Sequence, residues 1–139
     1  MVMKPHDDNH IEWQLRTRRL RLPRSDGLPL LMGIVNTTPD SFSDGGQHFK
    51  LDAALNQAKF MEENGVDIID VGGESTRPGA LTIPILEEIK RIEPVIKGIA
   101  ARSKIPISID TRKAEVASAA RRAGASMIND VSGFTFDPN

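Results

Sequence analysis

The order of hydrophobic patterns along the chain predicts an α/β fold on a parallel sheet. The strand ends favour a (β/α)8 (TIM) barrel, with about the first four βα units present behind an N-terminal β-hairpin. Three observations carry that expectation. Short Ile- and Val-rich runs alternate with stretches of helical periodicity, the signature of parallel strands joined by right-handed crossovers. Every run ends in a polar or acidic group: Asn36, Asp70, Asp110 and Asn129-Asp130. One such residue is an ordinary helix cap, but four in succession look like the rim of a barrel, where chemistry is drawn from several strand ends. A doubly wound open sheet also accepts the element order and is the other architecture to consider. Third, 39% apolar and 27% charged residues are the proportions of a globular domain that can bury a core.

Residues 1–11 are expected to be a loose N-terminus, and 12–139 a barrel portion, with a hairpin over 12–29 and four strands over 30–139. In the hairpin, Trp13 and Leu15, then Leu20 and Leu22, alternate with polar residues, many of them arginines, the period-2 pattern of half-buried strands. The apolar runs at 28–36, 66–71, 105–110 and 126–130 read as buried parallel strands. Between them, Leu51, Ala54, Leu55, Ala58 and Met61 mark one face of a helix over 51–64, stopped by Gly65. Pro84 suits the first turn of a helix over 84–101 with an Ile85, Ile89, Ile92, Ile96 stripe, which Pro94 is expected to kink. A third helix over 112–123 takes Thr111 as its N-cap and stops at Gly124. A complete barrel needs on the order of 250 residues. Phe136-Asp137-Pro138-Asn139 reads as the cap and first position of a further helix, so the chain looks like the N-terminal half of a longer barrel.

Several function classes fall away on composition. No run approaches the roughly 18 apolar residues of a membrane span, and the N-terminus lacks the apolar core of a secretory signal. With no Cys there are no disulfides, thiolate metal sites or Cys nucleophiles, and a reducing, cytoplasmic location is expected. A net charge of −1 with scarce aromatics argues against nucleic acid as a partner, so Arg16, Arg18, Arg19, Arg21 and Arg24 read as a solvated strand face. His6, His10 and His48 lack ligand-like spacing, and no zinc site is expected.

Two loops stand out. MGIVNTTPDSFSDGG (32–46) follows the first barrel strand with a connection longer than the usual 2–6 residues, carrying Phe42 among polar residues, and reads as a functional loop in preference to a plain surface turn. In IIDVGGESTRPGA (68–80), Gly72-Gly73 permits close backbone approach, and Ser75, Thr76 and Arg77 suit an oxyanion. It is neither a Walker loop nor a dinucleotide fingerprint. In ISIDTRK (107–113), Ser108 and Asp110 share one strand face. Asp110 at a barrel rim suits an amino-heterocycle with paired donors, though capping the next helix fits it equally well in isolation.

Together these segments resemble dihydropteroate synthase. The resemblance runs through LLMGIVNTTPDSFSDGG, GVDIIDVGGESTRPGA, SIDTRKAEVA and GASMINDVSG, covering essentially residues 12–139. It implies a TIM barrel that joins p-aminobenzoate to dihydropterin-CH2-pyrophosphate and releases pyrophosphate. Carried over by position, Asn36 resembles the residue that holds Mg²⁺ on the pyrophosphate, and Thr76 and Arg77 those meeting pyrophosphate and p-aminobenzoate. Pro78 and Phe42 look like apolar contacts to p-aminobenzoate, while Asp110 and Asn129 resemble the pterin-recognising pair. The family mechanism lets pyrophosphate depart before the arylamine attacks, so no protein nucleophile is needed. The family's second pterin Asp, a pterin-contacting Lys, an Arg for pyrophosphate and the helices of its usual homodimer all lie beyond residue 139. Two other readings remain open: a non-catalytic half-barrel that binds pterin or a second copy, and a pterin-dependent methyltransferase-like domain.

Overall fold

A computed structural model describes residues 10–16, 18–38, 47–77 and 79–139. The loop positions 39–46, with Phe42, and Pro78 lie outside the described residues. The chain begins with an antiparallel hairpin of β1 (Ile11–Gln14) and β2 (Arg19–Leu22), pairing Ile11 with Leu22 and Gln14 with Arg19. Its alternation buries Leu20, whereas Arg19 and Arg21 face solvent. Arg16 donates to the Arg121 carbonyl at 3.0 Å, and Arg24 pairs with Asp67 at 3.4 Å. Asp67 directly precedes the second sheet strand, so the hairpin sits against the N-terminal ends of the strands.

The remaining strands are β3 (Met32–Asn36), β4 (Ile68–Gly72), β5 (Ile107–Asp110) and β6 (Met127–Asn129). They form one parallel sheet in chain order, β3-β4-β5-β6. The crossovers are α1 (Gln47–Glu63), α2 (Ile85–Arg102) and α3 (Ala114–Ala123). Because side chains alternate along a strand, the residues Val35, Ile69, Val71, Ile107 and Ile109 share one face. They pack there with Leu55 and Ala58 of α1, Ile92, Ile96 and Ile99 of α2, and Val116 and Ala120 of α3. The opposite face carries the polar strand ends.

The helices differ from the sequence expectations in their ends. α1 starts four residues before Leu51, and Gly65 stops it in a left-handed conformation, φ +86°. α2 runs through Pro94 as one helix, because the flanking Ile92, Val95 and Ile96 are buried and hold both halves against the sheet. Thr111 does not cap α3. Lys113 is the residue at its start, and the first helical N–H, that of Ala114, is taken by the Asp137 carboxylate at 2.9 Å. Among the described residues no helix is long and apolar enough to cross a membrane.

Candidate functional site

Strand register assembles the site. Asn36 pairs with Gly72, Gly72 with Asp110, and Asp110 with Asn129, so the four form one row across the C-terminal ends of the sheet. The next row on the same face pairs Ile34 with Asp70, Asp70 with Ser108 and Ser108 with Met127. Glycine at position 72 leaves the middle of the upper row open. A Cβ there would lie 3.6 Å from Asn36 Oδ1 and 3.8 Å from Asp110 Oδ2. Asn36 and Asp110 therefore flank a gap floored by backbone. Asn129 Nδ2 donates to Asp70 Oδ2 at 3.2 Å, which joins the two rows.

This face carries buried polar atoms and a carboxyl whose ionisation the fold opposes. Asp70 is 3% exposed, yet its Oδ1 has no hydrogen-bond partner among the described residues, and neither has the buried Ser108 Oγ. Burial, followed by the neighbouring charge of Asp70, pushes the Asp110 carboxyl up to about 6. Asp110 is also not spent on capping, since Asp137 performs that duty for α3. The helix-cap reading of Asp110 is thereby removed. Buried unpaired acceptors are costly unless something satisfies them.

Of the other expected site residues, only Thr76 and Arg77 are among the described residues, and they lie on the loop beyond the row. Thr76 and Arg77 are exposed on the β4–α2 loop, where Arg77 N–H donates to Ser75 Oγ at 3.4 Å and Ala80 N–H to the Arg77 carbonyl at 3.0 Å. The loop's anchors were not legible in the sequence. Glu74 Oε1 accepts from Arg112 at 2.8 Å and its Oε2 from Lys113 Nζ at 2.7 Å. Lys113 Nζ also donates to Glu88 Oε2 at 2.7 Å, while Glu88 Oε1 accepts from the Thr111 hydroxyl at 2.8 Å. Burial raises Glu74, but the hydrogen bonds from Lys113 and Arg112 outweigh it and hold the carboxyl below the usual range. Burial works against the Lys113 charge too, and its bonds to Glu74 and Glu88 overcome that and raise it. Arg112 completes the group by stacking over Phe136, 4.2 Å from the ring centre. The sequence signal was faint: Glu88 looks like any acid in a first helical turn, and its partner Lys113 lies 25 positions away.

Residues 32–139 match the family model of pterin-binding enzymes. The chain belongs to the pterin-binding enzyme family. It is 56% identical over 108 residues to dihydropteroate synthase from Synechocystis sp., and 56% identical over 109 residues to that of Bacillus subtilis. Those alignments cover 78% of this chain in each case, but 37% and 38% of the two relatives, so the chain spans well under half their length. Among solved structures, Xanthomonas albilineans dihydropteroate synthase with 4-aminobenzoic acid superposes with a TM-score of 0.82 at 48% identity, covering 90% of this chain and 45% of that one. The parallel sheet seen here matches the sheet of those pterin-binding barrels, as the strand ends implied.

Proposed function

We propose that the chain carries the first four barrel strands of a dihydropteroate synthase with the three helices between them, and with these one side of its pterin site and its pyrophosphate site. The observation that carries this reading is the row Asn36, Gly72, Asp110 and Asn129, with an uncommitted, desolvated carboxyl at its centre. A pterin presents adjacent amino and ring N–H donors on one edge. A carboxylate at Asp110 accepts both, and the Asn129 amide, held by Asp70, offers a donor and an acceptor beside it. Thr76 and Arg77, exposed on the β4–α2 loop, are the groups that meet the pyrophosphate and p-aminobenzoate.

The reaction needs a leaving group, a stabilised cation and an amine. The bond from the exocyclic CH2 to the pyrophosphate oxygen breaks, and its electron pair leaves with pyrophosphate. The dihydropterin ring spreads the resulting positive charge, which the carboxylates Asp110 and Asp70 favour electrostatically. The p-aminobenzoate nitrogen then forms the C–N bond and loses its proton. No side chain of this protein forms a covalent bond. The donor chemistry around Gly72 fits Mg²⁺, which takes oxygen ligands and commonly uses one or two protein groups together with substrate phosphates. Asn36 Oδ1 would hold it, and the ion when bound neutralises charge on the departing pyrophosphate. The absence of Cys accords with a cytoplasmic enzyme.

Binding competition tests the proposal. The chain is expected to bind dihydropterin pyrophosphate in preference to methyltetrahydrofolate, and Mg²⁺ is expected to strengthen binding of the pyrophosphate ligand but not of bare dihydropterin. Asn36→Ala should abolish that Mg²⁺ increment alone. Preference for methyltetrahydrofolate would favour a methyltransferase-like domain, and equal loss of both ligands in Asn36→Ala would contradict the metal role.

A further inference from the structure

Buried ionic groups converge on the two ends of the β4–α2 loop. At its start, the Gly73 carbonyl accepts from Arg91 at 3.1 Å, and Glu74 holds Arg112 and Lys113. At its end, nine residues on, Ile83 N–H donates to Glu74 Oε2 at 2.8 Å, and the Ile83 carbonyl accepts from Lys113 Nζ at 2.7 Å. Glu74 and Lys113 are therefore bonded to each other and to the N–H and the carbonyl, respectively, of Ile83. Among the described residues between the two ends, the bonds are those of Arg77 and Ala80 given above, and Ser75, Thr76 and Arg77 are exposed.

Such a cluster is an expensive way to join two helices. Glu88 is 1% exposed and Lys113 6%, and taking both charges out of water costs more than apolar residues in the same space would. The core between sheet and helices is built without them. What the charges add is directional fixing of a loop whose own bonds would leave it floppy. Pre-ordering a binding loop lowers the entropy lost on binding and raises affinity for whatever that loop contacts.

We infer that Lys113, with Glu74, is a positioning residue that clamps both ends of the β4–α2 loop and so pre-forms the arrangement of Thr76 and Arg77 that receives an anionic ligand. The identity of that ligand rests on the function proposed above, whereas the clamp itself does not. The clamp can be cut without leaving a buried charge unbalanced. Glu88→Gln keeps Lys113 on Glu74 and Ile83, whereas Lys113→Met/Glu88→Gln removes one charge of each sign and releases the Ile83 carbonyl. Glu74→Gln weakens the clamp from its other partner.

Amide hydrogen exchange and ligand binding read the outcome together. Glu88→Gln is expected to match the parent in both. In Lys113→Met/Glu88→Gln and in Glu74→Gln, the amides of Thr76, Arg77 and Ile83 should exchange faster while those of Val71 and Ile109 keep their protection. Affinity for dihydropterin pyrophosphate should fall about tenfold, with bare dihydropterin unchanged. Loop amides exchanging at the parent rate in the cut variants that fold would overturn the clamp. So would unchanged affinity for dihydropterin pyrophosphate in variants whose loop has loosened. If the parent binds neither pterin, the functional reading fails, and the exchange data still decide the clamp.

Discussion

At Asp110, burial and the nearby charge of Asp70 oppose ionisation, whereas accepting hydrogen bonds from a pterin requires it. The carboxyl titrates at about 6 in the fold against 3.8 in an ordinary setting. A raised carboxyl contributes stability that is fully present below pH 3.8 and is lost as the pH rises through about 6. Denaturant titrations should therefore show Asp110→Asn more stable than the parent above pH 6, with the two converging below about pH 4, where the parent is protonated as well. A variant less stable than the parent at pH 7 would mean that the carboxylate is satisfied within the fold and not held for a ligand. The same residue illustrates why a site can be read from sequence. A lone Asp at a strand end has two uses, capping or recognition. Asp137 takes the capping role from 23 positions away, a pairing that no local pattern announces.

Between elements, the glycines distinguish close packing from spare room. A Cβ on Gly73 would meet Ile92 Cγ2 at 2.7 Å and the Glu88 carbonyl at 3.3 Å, so β4 and α2 could not keep their approach. Gly73→Ala should cost about 1–3 kcal/mol in unfolding free energy, the usual range for overpacking. At Gly33 the nearest obstacle is Met61 Sδ at 2.6 Å, a flexible thioether that can turn aside, so Gly33→Ala should cost less than Gly73→Ala in the same assay. Asp137→Ala should lower stability in the same assay by leaving the Ala114 N–H without its carboxylate. The elements themselves were legible from their periodicities: each strand run and each helix stripe recurs in the fold, except that β1 leaves Trp13 exposed where a half-buried strand was expected. Helix ends were less so. Pro94 does not end its helix, whose neighbours Ile92, Val95 and Ile96 are buried on both sides of it. Thr111 looks like a cap, but its hydroxyl donates to Glu88 and its oxygen accepts from the Lys113 N–H, just before the helix, while Asp137 takes the first helical N–H, that of Ala114.

Across the whole molecule, parallel register turns residues far apart in sequence into a single row. Asn36, Asp110 and Asn129 were recognisable as strand ends and the barrel rule brought them together, whereas Gly72 read as a loop glycine and Asp70, taken as the end of its run, lies one row below. The Glu74, Glu88 and Lys113 cluster was not legible, since it depends on how α2 and the start of α3 pack beyond the strands. The most direct test of the row is titration of dihydropterin into the parent chain and into Asp110→Asn at pH 5, 6 and 7.5. Parent affinity should rise through pH 6 as Asp110 ionises, and Asp110→Asn should bind at least about tenfold more weakly at pH 7.5 with no such pH dependence. Equal binding by the two proteins at pH 7.5 would contradict the assignment of this row as the pterin site.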